Sequence, residues 1–121
     1  MTQTDEGTAT MGNVVNYFEL GTPDAGATRS FYGTLFDWQI GDSGDYRMVE
    51  GDKGGVWDTA TVGGGSWAIF YVQVDDVQAT IAKAAELGAT VPVPFTDNGP
   101  IEFAHLQDPH GNRFGVWRPK G

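Results

Sequence analysis

The chain repeats itself once, with an offset of 52 residues, and this constrains the fold more than any single motif does. Val15-Asn16-Tyr17-Phe18-Glu19-Leu20-Gly21-Thr22-Pro23-Asp24 superposes on the segment ending at Asp76. Phe18 falls on Phe70, Leu20 on Val72 and Asp24 on Asp76. Each copy reads as an alternating strand that runs into a helix start. Asp24 and Asp76 lie where a cap or first-turn acid belongs, and Gly88 is a credible helix stop. Thr28, Phe31, Tyr32 and Leu35 fall at helical spacing in the first copy, and Val77, Ile81, Ala84 and Ala85 in the second. Three short strand candidates follow each helix. The first set is Trp38–Gly41, Tyr46–Glu50 and Gly55–Asp58, with a hairpin turn at Gly51-Asp52-Lys53-Gly54. The second is Thr90–Phe95, Ile101–Gln107 and Arg113–Arg118. The expected organisation is therefore α+β, two tandem βαβββ units over residues 14–60 and 67–118, joined by a link at 61–66 containing Gly63-Gly64-Gly65. Two copies, each with its own helix, do not make a solenoid.

At 121 residues the chain is expected to form one domain, residues 14–121, after a polar, aperiodic tail at 1–13. There is no cysteine, so disulfides and thiolate chemistry are excluded. The apolar runs are too short for a membrane span and the N-terminus lacks a signal pattern, so a cytoplasmic location is expected. The net charge of −9 argues against nucleic acid or an anionic membrane as partner. It fits ordinary solubility, and it also fits attraction of a cationic ligand.

Near the end, Gln107-Asp108-Pro109-His110-Gly111-Asn112-Arg113 is a tight turn by its chemistry. Asp108 can bond the backbone ahead of it, Pro109 presets φ, and Gly111 and Asn112 tolerate positive φ. This "DPHGN" turn, the "VNYFEL" strand running into "TPD", the "SFYGTLFDW" helix and the "VQVDDV" opening of the second unit occur in order. Together they resemble the vicinal oxygen chelate superfamily: glyoxalase I, bleomycin-resistance proteins, fosfomycin-resistance enzymes and extradiol dioxygenases. The resemblance covers residues 14 to 118. It implies a glyoxalase-like fold in which curved mixed sheets form a cup with helices outside, usually in a homodimer.

In such a fold, period-2 alternation assigns faces. Phe18 and Leu20 turn to the helix, leaving Tyr17, Glu19 and Gly21 on the cup side. Phe70, Val72 and Val74 turn inward to the second helix, leaving Ile69, Tyr71 and Gln73. Phe103 and His105, then Arg113, Gly115 and Trp117, also face the cup. Metal-dependent members of the superfamily place His or Glu on the first, fourth, fifth and last strands. Here the resemblance aligns Tyr17, the Gly55–Asp58 strand, Ile69 and Gly115 with those positions, and Ile69 and Gly115 offer no side-chain ligand. No metal and no other cofactor is therefore expected. A replacement site from Glu19, His105 and Glu50 or Asp58 is conceivable.

Glu19 sits mid-strand among apolar neighbours, where a carboxylate needs hydrogen bonds or a cavity. It reads equally as a structural acid and as a proton-transfer group. His105 reads as a hydrogen-bonded core histidine or a catalytic one, whereas His110 lies in an exposed turn. Tyr17, Trp57, Tyr71, Gln73, Phe103 and Trp117 are candidate ligand-binding residues, with plain packing as the competing reading. The expected function is metal-independent binding of a small aromatic or carbonyl-bearing metabolite, with its conversion left open by the residues. The alternatives are a drug-sequestering protein of the bleomycin-binding type and a divalent-metal lyase or dioxygenase.

Overall fold

A computed structural model describes residues 13–120. Its elements are β1 (Val14–Thr22), α1 (Ala25–Phe36), β2 (Tyr46–Val49), β3 (Gly54–Asp58), β4 (Trp67–Gln73), α2 (Val77–Glu86), β5 (Thr90–Asp97), β6 (Ile101–Gln107) and β7 (Arg113–Pro119). The fold is α+β and glyoxalase-like. The described residues form two compact units that divide within β4: residues 16–70, and residues 71–120 together with 13–15. Most of the expected tail lies outside the described residues; Asn13, at its end, donates its backbone N–H to the Gln73 carbonyl at 2.7 Å.

In the first unit β3 pairs parallel with β1, placing Glu19 opposite Gly55, and antiparallel with β2, placing Met48 opposite Gly55. In the second unit β7 pairs parallel with β4, placing Tyr71 opposite Gly115, and antiparallel with β6, placing His105 opposite Gly115. The internal repeat is thus a repeat of pairing geometry. Glu19 and Tyr71 are equivalent, each facing a glycine.

Both helix starts follow from their caps. Asp24 accepts from the Ala27 N–H and Asp76 from the Ala79 N–H, each at 2.9 Å. Gly88 closes α2 at φ 99°, a conformation that costs other residues strain. Each unit has its own core. In the first, Ala25, Ile40, Val49 and Val56 are buried, with Phe18, Leu20, Tyr32 and Trp38 packed on them. In the second, Val74, Val77, Ala104, Leu106 and Val116 are buried beneath Val72, Ile81, Ala84, Phe95 and Phe114. The alternation of β1, β6 and β7 is as expected from sequence.

Four expectations are corrected. Trp38–Gly41 is no strand, making a single bridge from Ile40 to Val49. Trp38 instead stacks on Tyr32, and the chain turns away at Asp42-Ser43-Gly44. Phe31 and Leu35 are exposed at 59% and 57%, because α1 carries apolar residues on two faces and turns Ala25 and Tyr32 to the sheet. Phe70 is also exposed, at 48%, so of Phe70, Val72 and Val74 only Val72, on β4, and Val74, just beyond it, follow the inward expectation. β5 is longer than expected, and its pairing with β6 shifts register twice, around Pro92 and Pro94, which lack the N–H a regular ladder needs.

The final turn forms as its chemistry requires. Asp108 Oδ1 accepts from the N–H groups of His110 and Asn112, and its Oδ2 accepts from the Asn112 side-chain amide. The Asn112 amide, with those backbone donors, holds the Asp108 carboxyl below the usual carboxylate range. Of the two residues expected to tolerate positive φ, only Gly111 uses it, at 90°.

Candidate functional site

In the first unit, β1 presents Glu19 on the face away from the α1 core, 1% exposed and with both carboxylate oxygens bonded. The Tyr46 hydroxyl donates to Oε1 and the Trp67 indole N–H to Oε2, each at 2.9 Å. Those two donors balance the desolvation of a buried carboxylate. The Tyr17 and Tyr46 hydroxyls lie 2.8 Å apart, and Tyr17 also approaches Met48 Sδ at 3.7 Å. Burial foremost, together with the negative charges of Glu19 and Asp52, pushes the Tyr17 phenol up to about 12 against the opposing Tyr46 bond. Tyr17 is therefore a neutral donor at physiological pH. Trp57 packs edge-on to both Tyr46 and Trp67, with centroids 6.4 and 5.7 Å apart.

Glycines make this arrangement possible. A Cβ on Gly55 would collide with the Tyr46 ring and hydroxyl, and a Cβ on Gly21 would lie 2.6 Å from Trp67 Cζ2. The sequence reads as tyrosine and tryptophan side chains laid across bare backbone.

The second unit uses the same device with different chemistry. Tyr71 and His105 are 4% and 0% exposed, and the Tyr71 hydroxyl lies 2.7 Å from His105 Nε2. Arg113 Nη1 lies 3.4 Å from Nδ1. A guanidinium can only donate, so Nδ1 accepts, Nε2 carries the hydrogen, and His105 donates to the Tyr71 oxygen. Phe103 packs edge-on to His105 at 6.3 Å. A Cβ on Gly115 would lie 2.6 Å from Tyr71 Cζ, inside the ring's contact surface. Gln73 and Trp117 are paired across β4 and β7, both half-buried.

The sequence-derived candidates thus fall into two groups. Tyr17, Glu19 and Trp57 share the first unit, and Tyr71, Gln73, Phe103, His105 and Trp117 the second. Tyr46 was not singled out from sequence, and Arg113 was assigned only a face. Tyr46 could have been found by counting back in alternation from the Gly51–Gly54 turn. The residues conceived as a replacement metal set are engaged elsewhere: Glu50 accepts from the Gln39 N–H, and Asp58 from the Ala60 N–H. Among the described residues no three His, Asp or Glu side chains come together in a metal-binding group. Of the positions that the resemblance aligns with metal donors, Ile69 is buried and apolar, and at Gly115 Tyr71 fills the side-chain space. A groove of about 410 Å³ runs along α2, lined by Val74, Asp76, Thr80, Lys83 and Leu87, and holds none of the candidates. No helix among the described residues is long and apolar enough to cross a membrane.

A βαββ unit and a βαβββ unit, each with polar residues on its sheet face, define a glyoxalase-like protein of the vicinal oxygen chelate superfamily. The chain belongs to the glyoxalase-like domain family, whose sequence pattern matches residues 17–117. It is 31% identical over 121 residues to the Mycobacterium tuberculosis protein named "Putative glyoxylase CFP32", covering 85% of this chain and 44% of that one. It is 32% identical over 115 residues to the anthracycline biosynthesis protein DnrV of Streptomyces peucetius, covering 84% of this chain and 40% of the relative. The chain therefore spans less than half the length of these relatives. Among solved structures, Streptomyces coelicolor methylmalonyl-CoA epimerase superposes with a TM-score of 0.59 at 15% identity, over 93% of this chain and all of that one. That likeness is one of fold.

Proposed function

We propose that the chain provides a metal-independent pocket that binds, and converts, a small aromatic or carbonyl-bearing metabolite. One observation carries this reading. At Gly55 and Gly115, the glycines opposite the two equivalent β1 and β4 positions, the side-chain space is taken by Tyr46 and Tyr71, so each unit offers hydroxyls and aromatic faces in place of metal donors. In this reading Glu19 and His105 serve proton transfer, each within its own unit; Tyr17 and Trp57 are the ligand-contacting residues of the first unit, and Tyr71, Gln73, Phe103 and Trp117 those of the second. The similarity to a protein named for anthracycline biosynthesis supports a flat, ring-containing ligand. Exposed Phe31, Leu35 and Phe36 on α1 support a homodimer, which the reading includes.

The test is metal content per chain after purification without chelator or affinity tag, followed by a screen of aromatic metabolites and cationic drugs. Metal near zero and quenching of tryptophan fluorescence by aromatic compounds are expected. Stoichiometric zinc, nickel, iron or manganese would refute the reading. The charge of −9 favours a second reading, sequestration of a cationic flat-ringed drug, in which the bound compound is recovered chemically unchanged.

A further inference from the structure

Resting on that reading of an aromatic-ligand pocket, we propose that Tyr46 is the group through which Glu19 meets its ligand, and that the ligand is a phenol or enol recognised by its own acidic O–H. Glu19 is 1% exposed and both its oxygens are engaged, whereas Tyr46 is 40% exposed. A ligand thus reaches the tyrosine and not the acid.

The hydrogen-bond directions follow from donor inventory. A carboxylate only accepts, so the single Tyr46 proton is directed at Glu19 Oε1. The proton in the 2.8 Å contact between the two phenols then comes from Tyr17. Tyr17 is held as a donor by the burial that raises its ionisation to about 12. The chain Tyr17 to Tyr46 to Glu19 is one-directional, and each bond polarises the next. Electron density gathers on the Tyr46 oxygen, making it a good acceptor whose own proton is already committed. A ligand ether or carbonyl finds no donor there, while a ligand O–H finds an acceptor, beside the ring of Trp57. If the proton passes, the ligand O–H bond breaks as a Tyr46 O–H bond forms. The original Tyr46 proton then moves to Glu19 Oε1, and the negative charge moves from Glu19 to the ligand as phenolate or enolate.

The experiment compares 4-nitrophenol with 4-nitroanisole, its methyl ether, at a pH where the phenol is neutral. Binding is read by tryptophan fluorescence and calorimetry. The intact protein should prefer the phenol by about tenfold, the scale of one hydrogen bond to a charge-polarised group. Tyr46→Phe should abolish that preference by weakening the phenol alone, because the ring against Gly55 is retained. Tyr17→Phe, which leaves the Tyr46–Glu19 bond in place, should reduce it by about two- to threefold. Equal affinities in the intact protein, a preference that survives Tyr46→Phe, or equal weakening of both probes by that substitution would each overturn the proposal while leaving an aromatic pocket. Binding of neither probe would remove the pocket reading itself, and this proposal with it.

Discussion

Gly115→Ala is the most exacting test of the idea that tyrosines lie across bare backbone. The added Cβ would sit 2.6 Å from Tyr71 Cζ and closer still to Cδ2 and Cε2. Ordinary carbon contacts begin near 3.5 Å, so the ring or the strand must yield by about 1 Å. Neither move is easy. Gly115 is paired with Tyr71 on one side and His105 on the other, and Tyr71 and His105 are 4% and 0% exposed. Overpacking a core costs about 1–3 kcal/mol. Displacing Tyr71 also strains its 2.7 Å bond to His105, and a buried polar group left unpaired costs about 1–3 kcal/mol more. Taking about 3 kcal/mol, and about 2.1 cal/mol/K per residue for unfolding entropy over 121 residues, Tm should fall by roughly 12 °C. Urea and thermal unfolding followed by circular dichroism measure this. The decisive comparison repeats Gly115→Ala in a Tyr71→Ala background, where the ring is gone and the cost should drop below about 0.5 kcal/mol. A loss that is the same in both backgrounds, or under 0.5 kcal/mol in the parent, would refute the reasoning.

Other perturbations have definite expected outcomes. Glu19→Gln must keep its amide oxygen on the Trp67 indole, which only donates, and turn its N–H₂ to Tyr46, so the charge-assisted Tyr46 bond is replaced by a weaker, reversed one; a destabilisation of about 1 kcal/mol and a shift in Trp67 emission are expected, and unchanged urea midpoint and emission would contradict it. Asp76→Ala removes the acceptor for the Ala79 N–H and should cost about 1 kcal/mol, read as a lower urea midpoint at constant m-value; no shift in midpoint would contradict the cap's role. Burial raises the Tyr17 phenol to about 12, above the ordinary tyrosine value of about 10, so its contribution is whole below pH 10 and is lost as pH rises toward 12. That difference corresponds to about 2.7 kcal/mol, reduced to roughly 1–2 by its partial exposure, and Tyr17→Phe should flatten the alkaline slope of stability by that amount.

What could be read from the sequence was what is local or periodic. The offset of 52 makes Glu19 equivalent to Tyr71, and period-2 alternation sends Leu106 and Val116 inward and His105 to the other face, because a strand's faces are set by its own sequence. The helix was less legible: spacing identifies an apolar stripe, but α1 has two, and only packing decides that Tyr32 is covered and Phe31 is not. Tyr46 escaped notice because its partner is 27 residues away, across two strand pairings whose registers must both be known. The glycines carry the deeper lesson. Read singly, Gly115 says only that a side chain is missing where a ligand-bearing residue could stand. Paired with Tyr71 it says that a ring occupies that space, and the same holds for Gly55 with Tyr46. In a strand interior, where glycine weakens the ladder and contributes no packing, such a residue is retained for what lies over it. Each glycine therefore predicts a large neighbour on the adjacent strand, and here both neighbours are tyrosines bonded to buried polar groups, Glu19 and His105.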